Sequence, residues 1–374
     1  MTFEEVNKWL SKLRIPLSMV VTPVNLEEER KRFRELDNYN PQFEYKIVKN
    51  DNEEILEELS KVEEIPDIDP NISEFYIQLI EDKKLTNNLM NAVGDNDLFT
   101  DLAMQKFKMP TDVLFRNACR VMRGNYKSYN VVDTSMVKRE EFLGYNEIKD
   151  IFQNTFDAFG LKDWGVNKSK NIRKNGIKTG IKSKEVFIDP VIKKTPLEVK
   201  KTVVHELTHI IRAYNGSNSG VGALARPNLN SYLDVEEGLA MWNEESMDLL
   251  KDKDLKEKAT IVYAISLGRE MSFCKLYEVL FGMYSPKKAF YLTYLVKRGL
   301  GDTSKPGIFP KSASYFRGFR KVKRKLNADA SLYNKLYAGK IGFKQVKWVD
   351  EGLIQEPTIV PSKELFKEVF KNFQ

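Results

Sequence analysis

The sequence predicts an α+β protein that is mainly helical and carries a small mixed sheet. Apolar residues recur at helical spacing through much of the chain, for example between Glu53 and Val62. Residues 164–189 instead contain clusters of β-branched and aromatic residues separated by Gly and Asn, which is typical of short strands and hairpins. With 42% hydrophobic and 30% charged residues, a chain of 374 residues can bury a sizeable core.

The N-terminal part of the chain predicts a series of helices separated by turns and prolines. Asp and Ser at 133–135 can cap the last of them, because their side chains accept from unpaired N–H groups. We expect these helices at residues 1–38 (two helices with a break), 53–62, 73–125 and 137–159. Gly160 follows the last helix, so we expect an N-terminal helical region at 1–160 and a second region at 161–374.

A long helix is expected directly after the predicted strands. Thr195-Pro196-Leu197-Glu198 is a capping box with proline at the first helical position, and Asn215-Gly216 is a suitable end. A loop rich in Gly, Ser, Asn and Pro then runs to Ser231, and a second helix is expected over Leu233–Leu249. From Lys256 onwards the sequence predicts helices alternating with loops.

The chain is basic, with a net charge of +7 and a sequence pI near 9.0. Two basic runs stand at residues 162–184 and 311–325. Such a charge favours an acidic partner, whether a peptide tail, nucleic acid or a membrane surface. Ordinary surface lysine, including lysine that protects a sheet edge, explains the same runs.

Cysteine usage and hydropathy exclude several classes of protein. Two cysteines, Cys119 and Cys274, are too few for a disulfide framework or an all-cysteine zinc site, and they favour a reducing compartment. The first residues, Met-Thr-Phe-Glu-Glu, carry acids where a signal peptide needs bases. No apolar run is long enough to span a bilayer. We expect a cytoplasmic protein without a membrane partner.

The predicted helix after Thr195 contains an H-E-x-x-H motif, His205-Glu206-Leu207-Thr208-His209, and these are the two histidines of the sequence. Residues four apart lie on one face of a helix, so both imidazoles can bind a single Zn²⁺. Glu206 can then act as general base on the water that the metal activates. The alternative is a pair of histidines that cap or pack a core helix.

A catalytic zinc ion usually has three protein ligands and a water. Because the sequence has no third histidine, we expect the third ligand to be a carboxylate on a helix packed against the first. We choose Glu237, with Glu236 as the alternative, and the adjacent Gly238 would allow two backbones to approach closely near the metal. The other explanation of both acids is their favourable interaction with the N-terminal end of a helix.

These motifs resemble the family of microtubule-associated tyrosine carboxypeptidases, whose bacterial members are named for a Q-E-G-L-A motif. The resemblance covers roughly residues 40–362. The segments that carry it are Val204–Gly216, Glu236–Ala240, Pro41–Tyr45, Lys297–Gly299, Phe309–Gly318 and Ala338–Ile341.

The resemblance implies a zincin-like metallopeptidase core and the activity of a zinc carboxypeptidase that removes a C-terminal residue, such as Tyr or Glu, from a protein tail. It implies that His205, His209 and Glu237 bind zinc and that Glu206 is the catalytic glutamate. Further candidates, for holding the substrate carboxylate or stabilising the oxyanion, are Arg212, Arg298, Lys311 and Tyr315. Packing and surface charge are the alternative roles of these four residues.

Two positions depart from the family pattern. The family motif is commonly H-E-x-x-x-H, one residue longer than here, and Glu236 stands where the family has Gln. We therefore expect a zinc carboxypeptidase that acts on an acidic tail, which the basic runs would attract. The alternatives are a zinc endopeptidase or aminopeptidase, and a non-catalytic binding protein with a structural metal or with basic patches for nucleic acid. Nucleic acid is not the partner we expect.

Overall fold

The computed structural model describes residues 1–48, 51–124, 142–170, 176–227 and 230–371. The predicted fold class is confirmed, because the described residues form mainly helices and one small mixed sheet. The α-helices are α1 Phe3–Lys12, α2 Leu17–Val20, α3 Leu26–Glu35, α4 Asn52–Ser60, α5 Pro70–Asn91, α6 Asn96–Phe107, α7 Asp112–Met122, α8 Tyr145–Ala158, α9 Pro196–Ser217, α10 Asn230–Ser246, α11 Asp252–Gly268, α12 Phe273–Phe281, α13 Pro286–Lys297, α14 Ala313–Ala328, α15 Leu332–Lys335, α16 Lys347–Asp350 and α17 Lys363–Lys371. Short 3₁₀ helices cover Gly222–Ala225 and Pro310–Ser312.

Contacts between residues group the chain into two compact units. The first contains α1 to α7, nearly all of α11, then α12, α13 and the start of α14 up to Arg317. The second contains α8, the sheet, α9, nearly all of α10, α14 from Gly318, and α15 to α17. The division expected at residue 160 stays a prediction.

The first unit is built around aromatic side chains. Phe43, Phe273, Phe290 and Tyr294 form a buried cluster, and Phe33 packs edge-on against two of these rings at centroid distances of 5.3 Å. Edge-to-face contacts of this kind stabilise a core beyond the area that they bury. None of the helices in the described part of the chain is long and apolar enough to cross a membrane.

The sheet of the second unit has three strands of four residues each: β1 Gly165–Lys168, β2 Ile177–Gly180 and β3 Glu185–Ile188. The central strand, β3, pairs in parallel with β1 and antiparallel with β2, so β2 is an edge strand. Val186 of β3 lies between Val166 and Thr179 in the register and is fully buried. The strands expected within 164–189 are thus present. The part of the first basic run at 171–175 lies outside the described residues.

The helix expected at 137–159 begins later than predicted. Residues 142–144 are not helical: Leu143 forms a bridge with Lys194, and α8 begins at Tyr145, where the side chain of Glu147 accepts from the Gly144 N–H at 2.7 Å. The caps proposed at 133–135 and the start of the predicted helix lie outside the described residues.

The helix expected at 233–249 is also displaced, since α10 runs from Asn230 to Ser246. It ends before Asp248, which has a φ of +60° and therefore cannot continue a right-handed helix. Glu236 and Glu237 consequently lie in the second turn of α10 rather than in the first. A favourable interaction with the N-terminal end of the helix therefore explains these two acids less well, because that interaction is confined to the first turn.

Glycine allows α10 to pack directly on α14. A Cβ atom added at Gly238 would lie 2.3 Å from the carbonyl carbon of Gly318, and one at Gly318 would lie 2.0 Å from the carbonyl oxygen of Asp234. No side chain fits at either position, so the two backbones touch. The close approach expected at Gly238 is confirmed, and it fixes the turn of α10 that carries Glu237.

Candidate metal centre

Helix α9 presents the two histidines and Glu206. Its start is fixed by the predicted capping box: the Glu198 N–H donates to Thr195 Oγ1 at 3.3 Å, and the Thr195 N–H donates to Glu198 Oε2 at 3.0 Å. Its apolar residues are buried and hold the helix in the unit, namely Val199, Val203, Val204, Leu207, Ile210 and Ile211. His205 and His209 therefore share the remaining face, with ring centroids 4.8 Å apart.

Glu237 of α10 meets both histidines. Its Oε2 lies 3.5 Å from Nε2 of His205 and 3.8 Å from Nε2 of His209. Ligand atoms of these three residues lie within 4.8 Å of one another, and the side chains are 14–19% exposed. Bonds of about 2.0–2.1 Å to a tetrahedral ion place ligand atoms roughly 3.3 Å apart. The donor set therefore suits a small divalent metal ion, and the partial exposure of the three side chains would leave such an ion reachable from solvent.

Glu237 Oε2 is a buried atom without a hydrogen-bond partner among the described residues. Burying a carboxylate oxygen without a partner is costly, so such an atom in a native fold points to an ion or another group bound there. Burial would raise the pKa of Glu237, but contact with His205 and the charge of His209 lower it. Burial would lower the pKa of His205, but Glu237 and Glu244 raise it to about 10. This environment favours a positive charge between the three side chains.

The other nitrogen of each histidine is held by a second carboxylate of α10. His205 Nδ1 lies 2.6 Å from Glu244 Oε1, and His209 Nδ1 lies 2.8 Å from Glu236 Oε1. Glu236, the alternative choice of third ligand, thus lies on the far side of the His209 ring, and Glu237 takes the place beside the Nε2 atoms. This matches the arrangement in which metal-binding histidines donate their second N–H to a carboxylate.

Arg212 has a role that the sequence did not predict. It is fully buried, its Nη1 pairs with Glu236, and its Nε and Nη2 donate to the carbonyls of Leu336, Gly339 and Ile341. Lys340 Nζ lies 2.5 Å from Glu236 Oε1. Burial would raise the pKa of Glu236, but Lys340 and Arg212 lower it well below its usual range, so the carboxylate stays charged. The contact of Arg212 with a substrate carboxylate stays a prediction.

Glu206 is bonded to the edge strand. The hydroxyl of Thr179 on β2 donates to Glu206 Oε2 at 2.6 Å, and Glu206 is partly exposed. The hydrogen bond holds one carboxylate oxygen and leaves the other available. A carboxylate so placed, next to the candidate metal ligand His205 on the same helix, can accept a proton from a nearby water.

The three remaining candidates belong to the first unit. Arg298 follows α13, and its guanidinium lies 6.0 Å from the ring of Tyr294 and 5.1 Å from that of Phe309. The Lys258 ammonium lies 4.6 Å from the centroid of the Tyr315 ring. Lys311 lies in the 3₁₀ helix Pro310–Ser312. The roles of Arg298, Lys311 and Tyr315 toward substrate or oxyanion stay predictions.

Sequence reasoning missed Glu244, Thr179, Lys340 and Lys201, whose Nζ lies 3.4 Å from Glu244 Oε2. One signal was available, because Glu237 and Glu244 are seven residues apart and therefore share a helix face. Thr179 and Lys340 gave no such signal, since they reach the centre from a strand and a loop that are distant along the chain.

Two comparisons with known proteins agree on one family. The family model described as "Microtubule-associated tyrosine carboxypeptidase" matches residues 31–371. A relative from Mus musculus, "Microtubule-associated tyrosine carboxypeptidase 1", is 32% identical over 165 residues. That alignment covers 42% of this chain and 34% of the relative, so it spans about a third of the relative's length.

Proposed function

The chain belongs to the microtubule-associated tyrosine carboxypeptidase family, and we propose that it is a zinc-dependent carboxypeptidase. It would remove a C-terminal residue, tyrosine or glutamate, from the tail of a protein or peptide. We propose His205, His209 and Glu237 as the zinc ligands, Glu206 as the general base and a zincin-like arrangement of the core.

One observation carries the proposal: Oε2 of Glu237 lies within 3.5–3.8 Å of both histidine Nε2 atoms while both Nδ1 atoms are bonded to carboxylates. A histidine that only packs in a core does not require a carboxylate on Nδ1 and a second carboxylate beside Nε2. Carboxylates bound to Nδ1 favour the tautomer with the free electron pair on Nε2, which is the form that binds a metal. Three protein ligands, rather than four, are typical of catalytic zinc.

In the proposed mechanism, Glu206 accepts a proton from the attacking water and later delivers it to the leaving amine. Thr179 holds Oε2 of Glu206, so the carboxylate keeps one orientation during both transfers. A bound zinc ion would supply Lewis acidity, which polarises the scissile carbonyl and lowers the pKa of water to about 7. The outer carboxylates Glu236 and Glu244 keep the imidazoles fixed throughout.

A carboxypeptidase also needs a cationic or hydrogen-bonding group for the free terminal carboxylate of its substrate. Arg298 and Lys311 remain our candidates for this role, and Tyr315 for the oxyanion. We propose that the tail is acidic, because the chain carries a net charge of +7. The compartment we propose is the cytoplasm.

Mass spectrometry of a peptide mixture tests the proposal. The peptides would differ in their last residue, and each would be supplied with a free and with an amidated C-terminus. We expect each susceptible free peptide to lose one C-terminal residue, with tyrosine- or glutamate-ended peptides first, while amidated partners stay intact. Internal cuts or loss of the first residue would instead identify an endopeptidase or an aminopeptidase, and no change at all would favour a binding protein.

A further inference from the structure

Two buried carboxylates contact the Nδ1 side of the histidine pair. Glu236 and Glu244 are eight residues apart on α10, their side chains are 4% exposed, and each bonds the Nδ1 atom of one histidine. An ionised carboxylate accepts from Nδ1–H, so each of these contacts leaves Nε2 as the nitrogen that a metal ion would take. The Nε2 atoms of both rings face Glu237, at 3.5 Å and 3.8 Å from its Oε2.

Each of these carboxylates is in turn held by cations. Glu236 contacts Arg212 and the Lys340 ammonium, and Glu244 lies 3.4 Å from the Lys201 ammonium. A buried charge needs such partners, because they replace the water that would otherwise solvate the carboxylate. The cations allow Glu236 to stay charged at a position where a neutral glutamine would satisfy His209 just as well by hydrogen bonding.

We propose that Glu236 and Glu244 are positioning residues that set the metal affinity of the centre, and that Arg212, Lys340 and Lys201 hold the two carboxylates in place. The inference rests on the proposed metal site. A charged carboxylate that accepts from Nδ1–H makes Nε2 of the imidazole a stronger ligand for a metal ion, whereas a neutral amide only orients the ring. Loss of charge at either position should therefore weaken metal binding even where the hydrogen bond survives.

Zinc titration of the metal-stripped full-length chain, in competition with a fluorescent chelator, tests this inference. Loss of a partner of this kind typically lowers metal affinity by about 10–100-fold, and we expect that loss for Glu236→Gln and for Glu244→Gln. Glu245→Gln is the matched control. Glu245 is next to Glu244 on α10 but pairs with Lys323 at 2.7 Å, so its variant should stay within about twofold of the original chain.

A purely structural role has to be separated from a role in metal binding, because Glu236→Gln leaves Arg212 and Lys340 without their anion. The double variant Glu236→Gln/Lys340→Met removes one of these cations. We expect its melting temperature to rise above that of Glu236→Gln while its zinc affinity stays low. Recovery of zinc affinity together with stability would overturn the inference. Glu244→Gln is the second route, since Lys201 is 26% exposed and we expect water to solvate its ammonium once the charge of Glu244 is lost.

The visible absorption of bound Co²⁺ gives a second readout that does not depend on catalysis. We expect both single glutamine variants to shift the cobalt bands or weaken their titration, and Glu245→Gln to reproduce the original spectrum. If the original chain binds neither zinc nor cobalt, the proposed metal site itself fails. If it binds both, and both single glutamine variants match it in affinity and spectrum, the site stands and the positioning role is wrong.

Discussion

The hydroxyl of Thr179 donates a hydrogen bond of 2.6 Å to Oε2 of Glu206 and so joins the edge strand β2 to the helix that carries both histidines. Replacement of Thr179 by Val keeps the shape and removes this bond. A hydrogen bond to a charged group contributes about 1.5–3 kcal/mol, so we expect kcat to fall about 10–100-fold with little change in KM. Steady-state kinetics on a tyrosine-ended peptide measures both constants.

Thr179→Ser is the matched control, because it keeps the hydroxyl, and its kcat should remain near that of the original chain. Zinc content should be the same in both variants, since Thr179 bonds Glu206 and is not one of the proposed ligands. Equal kcat values for the Val and Ser variants would remove Thr179 from the mechanism.

Replacement of Glu206 by Gln tests the general base. The amide keeps the size and can still accept from Thr179, but it cannot take a proton from water. General-base catalysis contributes about 10²–10⁴-fold, so hydrolysis should become undetectable while zinc binding persists. The measurement pairs peptide turnover with zinc content. A fully active Gln variant is incompatible with the proposed role.

The glycine contact between α10 and α14 predicts a loss of stability. Gly238→Ala would push a Cβ atom to within 2.3 Å of the backbone of Gly318, where no flexible side chain can yield. Over-packing of this kind costs about 3 kcal/mol or more. For a chain of 374 residues the loss corresponds to a melting temperature about 4 °C or more lower, which a thermal unfolding scan detects.

Gly222→Ala is the control for this variant, because a Cβ atom at Gly222 meets nothing within 4 Å. Its melting temperature should stay within about 2 °C of the original, as is usual for a surface change. If Gly238→Ala melts no lower than Gly222→Ala, the two helices do not pack as described.

The exposed lysines beside Thr179 predict a dependence on substrate charge. Lys178 and Lys182 are both exposed, and Lys178 precedes Thr179 on β2. Reversal of both charges to Glu should raise KM for an acidic peptide about fivefold, roughly 1 kcal/mol of exposed-charge interaction. The difference should shrink at high salt, because salt screens exposed charges.

Kinetics at low and high salt with an acidic and a neutral peptide measures the effect. The same reversal at Lys363 and Lys367, two exposed residues of α17, controls for net charge. Equal KM values for the two double variants would show that the lysines beside Thr179 do not attract the tail.

The sequence predicted the elements of the centre where local spacing determines the outcome. The capping box at Thr195 and the shared face of His205 and His209 depend on residues within a few positions, and both are observed. Helix boundaries were less accurate. The end of α10, for example, is set by the left-handed backbone of Asp248, which nothing in the hydrophobic pattern indicates.

The outer contacts of the centre were not predictable in the same way. Lys340 reaches Glu236 from 104 positions away, and Arg212 binds carbonyls 124–129 positions away. No periodicity encodes such pairs, because they arise only when the chain has folded. Arg212 is one example: nothing in the sequence indicated that it is fully buried and contacts Glu236 and three backbone carbonyls.

The most direct measurement of the central claim is zinc-dependent trimming of a tyrosine-ended peptide, followed by mass spectrometry on one preparation. The chain stripped with a chelator should leave the peptide intact, and one equivalent of zinc should restore the loss of a single C-terminal residue. Undiminished trimming by the stripped protein, or an intact peptide after zinc has bound, would contradict the account.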